Sequence, residues 1–439
     1  MEIKGKYNKD CKIFSDDIED EALSLIYRIL DEPAFANAPI RIMPDTHAGK
    51  GIVIGFTAPV TNMVCPSHVG VDIGCTITTY ITDTALNKND YSKIEEEIKT
   101  NIPMGFKVHD THVFRYDDMY AFIKEDYLRA KQSWPDMIND FDVSEHGISQ
   151  MLRRIKMDEG LFYRSIGSVG GGNHFIEIGD YNGKYAFSVH CGSRNFGNVV
   201  CKYWEKMASS GQIDNKIFKA EIEKLKAITI NKHELPHKIK VLKEELIAKQ
   251  APNGYLTGEN MKGYLTDMVI AQSYARFNHL IIGKLIENIF HNINGASVID
   301  VIQSTHNYID VCGDHMIRKG AIRAYEGEKM VVPFNMRDGL AICIGKSNSD
   351  WNNSCSHGAG RKMSRSEAKK NIDLDSFKKS MDGIYTTSVG FSTIDEAPMA
   401  YKDTDTIINK IKDTCDILYM VKPVINIKSS DSIYDVLNG

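Results

Sequence analysis

No CxxC pair occurs among the nine cysteines of this sequence, which lie at 11, 65, 75, 191, 201, 312, 343, 355 and 415. An odd, scattered set is no disulfide framework and points to free thiols or metal ligation. Long apolar runs are also missing. The start MEIKGKYNKD carries no signal-peptide core, and runs such as IVIGF at 52–56 are too short to cross a bilayer. A cytoplasmic protein with no membrane partner is therefore expected. Charge of one sign is not in large excess. A net −5 disfavours indiscriminate coating of nucleic acid but leaves room for a local basic groove. Repeats, low-complexity tracts and Pro/Ser-rich linkers are absent too, so nothing cuts the 439 residues into modules.

What is present is ordinary globular composition, 42% hydrophobic and 25% charged. Residues 40–80 read as short strands with tight Gly turns, ending in the alternating β-branched stretch of GVDIGCTITTYIT. Residues 85–160 read mostly helical. Strands and Gly turns return over 162–200, and a charged helical hairpin is expected at about 203–250, broken by APNGY. The stretch 264–293 is apolar on more than one stripe, which predicts a long buried helix. Short strands and loops follow from 298. Strands and helices do not alternate as a βαβ series, so the expected class is α+β. Packed sheets would carry the site and helices would lie outside, in one domain over 1–439.

The chemistry-bearing stretches sit at strand ends and Gly turns. HVGVDIGCTI places Asp72 and Cys75 three residues apart, close enough to ligate one metal, although a turn Asp and a buried Cys explain them equally simply. SVGGGNHFIEIG offers Asn173, His174 and Glu177 after three glycines; along HFIEI, His174 and Glu177 fall on opposite faces and so serve different roles. FSVHCGSRNFG adds His190 and Arg194, and STHNYID adds His306 and Asn307. Singly, each histidine is more often merely hydrogen-bonded. Together Asp72, Cys75, His174, His190 and His306 supply one O, one S and three N donors. That is too many for a closed tetrahedral site and fits two metals sharing Cys75. Thiolate and imidazole would bind zinc or copper more tightly than manganese, so the ligands alone do not choose the metal. Finally, SCSHGAGRKMSR sets His357 before Gly358, Ala359 and Gly360, with Arg361 and Arg365 behind: a histidine in a loop suited to phosphate.

VGVDIGC, GGGNHFIE, VHCGSR, HN and HGAGRKMSR, in this order over about residues 40–428, closely resemble the motifs of the RtcB RNA ligases. Cys191 stands where that family commonly has serine, Cys355 lies in SCSHGAGR where SAPHGAGR is usual, and VPFNMRDG replaces the common PGSMG loop. The resemblance implies GTP as co-substrate and two Mn2+ ions, one on Asp72, Cys75 and His174, the other on Cys75, His190 and His306. It implies His357 as the nucleophile that becomes guanylylated, and Asp45 of MPDTHAGKG is the candidate carboxylate to orient it. Glu177 would accept from both guanine donors and Lys428 would donate to O6. Asn173, Phe175, His306, Asn307, Pro333, Asn335, Met336, Leu340 and the Gly358–Gly360 turn would complete the nucleotide pocket, and Arg194, Arg361 and Arg365 would meet RNA or triphosphate. The partner implied is RNA with 3′-phosphate or 2′,3′-cyclic phosphate and 5′-hydroxyl ends, in repair or tRNA splicing, and an archease-type activator is admitted. Two rivals stay open on the residues alone: a dinuclear phosphodiesterase without GTP, and an RNA-binding protein with a structural metal.

Overall fold

Strand sidedness organises the centre of the molecule. In Phe175–Tyr181, Ile176 and Ile178 point into a core with Val189, Phe187 and Ile427, while Phe175 and Glu177 face the other way. The computed structural model describes residues 1–209, 222–226, 235, 237–239, 241–242 and 254–429. The hairpin expected at about 203–250 lies largely outside the described residues.

The class is α+β, as expected. A seven-stranded antiparallel sheet runs in the order Lys329–Asn335, Gly339–Gly345, Cys415–Ile427, Phe175–Tyr181, Lys184–Cys191, Thr76–Ala85, Val298–Thr305. Its two edge strands approach each other, and Val331 N–H donates to Ser304 Oγ at 2.7 Å. The sheet thus curls around an apolar interior of Ile77, Ile81, Ile302, Val331, Leu340, Ile342 and Val421. A six-stranded sheet, built on Ile40–His47 and Ile54–Pro59, stands beside it. A two-stranded ribbon pairs Ala321–Arg323 with Ser354–Ser356, just before His357.

The long buried helix is Gly258–Asn294, 37 residues, closed by Gly295 in the left-handed conformation at φ 74°. Its residues are buried on several stripes because it is sandwiched between the sheet and the helix Tyr116–Ser133. Two readings shift. The helix after the CGSR turn begins at Arg194 rather than near 203, because Phe196, Val200, Cys201 and Trp204 already form one buried helical face. And the C-terminal part is not only short strands: Cys415–Ile427 is a 13-residue strand pairing on both edges.

Phe187 is fully buried between Tyr80, with ring centroids 4.7 Å apart, and Phe290 at 5.5 Å. Truncating it removes a ring that the sheet and long helix share. Phe187→Ala is expected to destabilise the fold by about 3–5 kcal/mol, measured as a lowered midpoint in denaturant at unchanged slope.

Candidate active site

The strand register assembles the ligand set. His190 lies opposite both Ile77 and Phe175, and Thr76 lies opposite Thr305. Cys75, His174 and His306 each sit one residue outside those paired strands, so they converge on His190 at one end of the sheet. Backbone bonds lock the loops there: His306 N–H donates to Cys75 O at 2.7 Å and Gly74 N–H to Asn307 O at 2.9 Å.

The donor atoms crowd together. Cys75 Sγ is 3.4 Å from His174 Nε2 and 3.2 Å from His190 Nε2. His190 Nε2 is 3.2 Å from His306 Nε2, and His174 Nε2 is 2.9 Å from Asp72 Oδ2. His190 donates its Nδ1 proton to the Asn173 carbonyl at 3.2 Å, which bares Nε2 as a lone pair. Burial, reinforced by neighbouring imidazoles, holds His190 and His306 well below the ordinary histidine value, so both are neutral. Burial pushes the Cys75 thiol well up, and the Asp72 carboxylate adds to this. Burial works against ionisation of Asp72 too, but His174 beside it holds the carboxyl down at about 2. Buried lone pairs aimed at one another and a thiol that resists ionisation are what a cation corrects; the donor set fits soft or borderline divalent metals.

Next to this cluster, His306 and His357 lie with ring centroids 4.8 Å apart. Asp45 is fully buried, and its Oδ2 accepts from His357 Nδ1 at 2.7 Å and from Gly358 N–H at 3.3 Å. Asp45 comes from the strand Ile40–His47 of the six-stranded sheet, so the histidine is clamped from the opposite side to the ligand cluster. Gly360 has φ 73°, and a Cβ there would overlap the Asp45 carbonyl.

Both groups open into one cavity of about 850 Å³. Its wall includes Asp72, Cys75, His190, His306, Asn173, Phe175, Glu177, Asn307, Pro333, Asn335, Met336, His357, Gly358, Ala359, Gly360, Arg361, Arg365 and Lys428. His174 and Asp45 stand directly behind. Burial pushes the Glu177 carboxyl up to about 8, against the Asn426 amide and Lys428, which pull it down. Asn307 uses its side-chain oxygen to accept from Gly320 N–H at 2.9 Å.

Two expected contacts are not brought to this wall. Leu340 is packed inside the curled sheet with Val331 and Ile342, because alternation along its strand turns it inward. Arg194 is turned away: its guanidinium donates to Ser168 Oγ at 3.1 Å and Gly105 O at 2.7 Å. Arg361 and Arg365 reach the wall but are ion-paired, at 3.2 Å and 2.5 Å from Glu396 Oε1. Sequence reasoning passed over Glu396. It lies 3.6 Å from Lys428 Nζ, and although burial opposes its charge, Lys428, Arg365 and Arg361 hold it down at about 2. His47, whose value burial lowers to about 4, and Asn426 also line the cavity unforeseen. Asn426 was findable: it shares a strand face with Lys428, two residues on.

A buried thiol–imidazole donor set and a carboxylate-held histidine in one cavity have the character of an enzyme site. The comparisons agree on which: the chain belongs to the RtcB family, whose description, tRNA-splicing ligase RtcB, matches residues 31–429. It is 26% identical over 415 residues to the RNA-splicing ligase RtcB of Escherichia coli K12, covering 89% of this chain and 90% of that protein. It is 23% identical over 479 residues to the tRNA-splicing ligase RtcB of Methanococcus maripaludis, covering 94% and 91%. RNA-splicing ligase RtcB homolog 1 of Entamoeba histolytica is 25% identical over 463 residues, covering 88% and 80%.

Gly360→Ala forces the turn away from Asp45. The variant is expected to keep its secondary structure by circular dichroism, melt several degrees lower, and lose the His357–Asp45 hydrogen bond, read as a vanished downfield imidazole proton in NMR.

Proposed function

We propose that the protein is a GTP-dependent RNA ligase that joins RNA 3′-phosphate or 2′,3′-cyclic phosphate ends to 5′-hydroxyl ends, in RNA repair or tRNA splicing. The observation that carries this reading is the 2.7 Å bond between Asp45 Oδ2 and His357 Nδ1. With Nδ1–H given to the carboxylate, Nε2 keeps its lone pair for attack. Family membership and the relatives' names support the ligase class.

In this reading His357 Nε2 attacks the α-phosphorus of GTP. A P–N bond forms as the bond to pyrophosphate breaks. Asp45 stabilises the imidazolium character that develops on the ring. An oxygen of the RNA 3′-phosphate then attacks the same phosphorus, the P–N bond breaks and His357 is regenerated. The 5′-hydroxyl oxygen attacks the activated RNA phosphate, forming the phosphodiester and releasing GMP and a proton; a cyclic phosphate end is first hydrolysed. Asp72, Cys75 and His174 would hold one manganese ion and Cys75, His190 and His306 a second, which would polarise the phosphate oxygens. Glu177 accepts from the guanine N1–H and 2-amino group, and Lys428 donates to O6. Arg361 and Arg365, anchored by Glu396 and Asp395, keep positive charge near the phosphates without loose side chains.

Two measurements test this. Protein incubated with manganese and GTP labelled at the α-phosphorus is expected to carry an acid-labile band on a denaturing gel, absent with labelled ATP and in His357→Ala. Cleavage of cyclic phosphate ends with no band and no nucleotide requirement would make it a phosphodiesterase instead. The second concerns pH. Free Glu177 holds its proton up to about 8, whereas the guanine-bound form must be the acceptor carboxylate. Binding therefore releases a proton, and GMP affinity of His357→Ala protein is expected to rise by up to ~tenfold per pH unit between roughly pH 6 and 8, then level off. Glu177→Gln is expected to bind weakly with a flat profile.

A further inference from the structure

Two buried acceptors stand side by side on the cavity wall without partners among the described residues: Glu177 Oε1 and Asn426 Oδ1. Asn426 is 1% exposed and Glu177 4%. The register pairs the two residues directly across adjacent strands, and Asn426 Nδ2 donates to Glu177 Oε2 at 2.9 Å. Ile425 and Ile427 point to the opposite face, into the core, so Asn426 and Lys428 share the face of Phe175 and Glu177.

The Asn426–Glu177 bond fixes which way the amide points. In the guanine-binding form, with Glu177 ionised, turning it over would set Oδ1 against the carboxylate Oε2, acceptor against acceptor. With Nδ2 committed to Glu177, Oδ1 is presented next to the carboxylate and has nothing to accept from. Buried polar atoms left in this state are costly, and they cluster where a ligand supplies the missing donor.

We infer that Asn426 is a second purine-reading residue, its Oδ1 accepting the outer N–H of the guanine 2-amino group while Glu177 takes N1–H and the inner one. The inference rests on the guanine-nucleotide reading above and deepens it. It assigns the 2-amino group its own acceptor, so the wall reads three bases differently. Guanine supplies N1–H and both amino protons. Hypoxanthine supplies N1–H but no 2-amino group, leaving Asn426 Oδ1 unpaired. Adenine offers a bare N1 and no 2-amino group, leaving both residues unpaired. The 2-amino group itself stays untouched chemically; the role is recognition, and Asn426 contacts no reacting atom.

The test is equilibrium binding of GMP, IMP and AMP, by calorimetry with manganese present, to the full-length His357→Ala protein and to His357→Ala carrying Asn426→Thr or Asn426→Ala. Threonine suits a strand and covers the case in which alanine fails to fold; the melting temperature of each protein is read beside it. Expected is a GMP dissociation constant raised roughly tenfold or more by loss of Asn426, with IMP affinity within about twofold of its value in the parent, so that the preference for GMP over IMP collapses. Equal weakening of GMP and IMP would overturn the inference and leave Asn426 as a mere brace for Glu177. A parent protein that binds neither GMP nor IMP would remove the guanine reading itself, and the inference with it.

Discussion

Everything at this site depends on one hydrogen bond between residues 312 positions apart, Asp45 Oδ2 to His357 Nδ1. It joins the six-stranded sheet, which contributes Asp45, to the loop after the two-stranded ribbon, which contributes His357. A buried carboxylate needs partners, and Asp45 has few: the imidazole and Gly358 N–H on Oδ2, none in the protein for Oδ1 among the described residues. The histidine is therefore not simply near an acid; it is a main stabiliser of that acid, and the loop is held in place by this mutual need. Gly360 is where the backbone must pass the Asp45 carbonyl without a Cβ.

The opposite wall obeys a different logic. Three imidazoles and a thiol are packed at hydrogen-bond distance with too few protons to share. Neutral His190 and His306 face each other at 3.2 Å, and Cys75 faces both His174 and His190. In water such an arrangement would relax. Here the register of four paired strands forbids it, because moving any one ligand would shift a whole ladder. The sheet supplies rigidity that side chains alone lack, which the metal-dependent phosphoryl chemistry proposed above would need.

Much of this was legible in the sequence, for a physical reason. Functional side chains at strand ends need adjacent glycines and small residues, so GGGNH, CGSR and HGAGR announce themselves. The long helix was legible from its all-round apolarity. What stayed hidden depends on partners distant in the chain or on facing. Leu340 is a nucleotide contact on the family resemblance, but its strand turns it to the inside of the curl. Arg194 looked like a free phosphate ligand; its left-handed backbone, φ 53°, starts a helix and turns the guanidinium onto carbonyls at the Gly105 loop. Arg361 and Arg365 carry acids 30–35 residues further on, and no local pattern marks Glu396 as their anchor.

The two walls meet along one strand, and this decides the geometry of the whole cavity. His174 immediately precedes Phe175–Tyr181 and belongs to the ligand cluster; Glu177, three residues on, lines the cavity beside Asn426 and Lys428. At about 3.3 Å per residue a strand separates them by ~10 Å, the scale of a nucleoside. On the proposed reading, the same backbone that seats the ligands would set how far a bound base stands from the reacting phosphorus. Lys422–Ile427 pairs alongside, so Asn426 stands directly across from Glu177, with Lys428 two residues on along the same face. A one-residue slip between these strands would exchange Asn426 for Ile425 or Ile427 on the wall and bury the amide in the core. If the proposed function holds, base recognition and phosphate chemistry are not separable modules here; both are set by a single β-ladder.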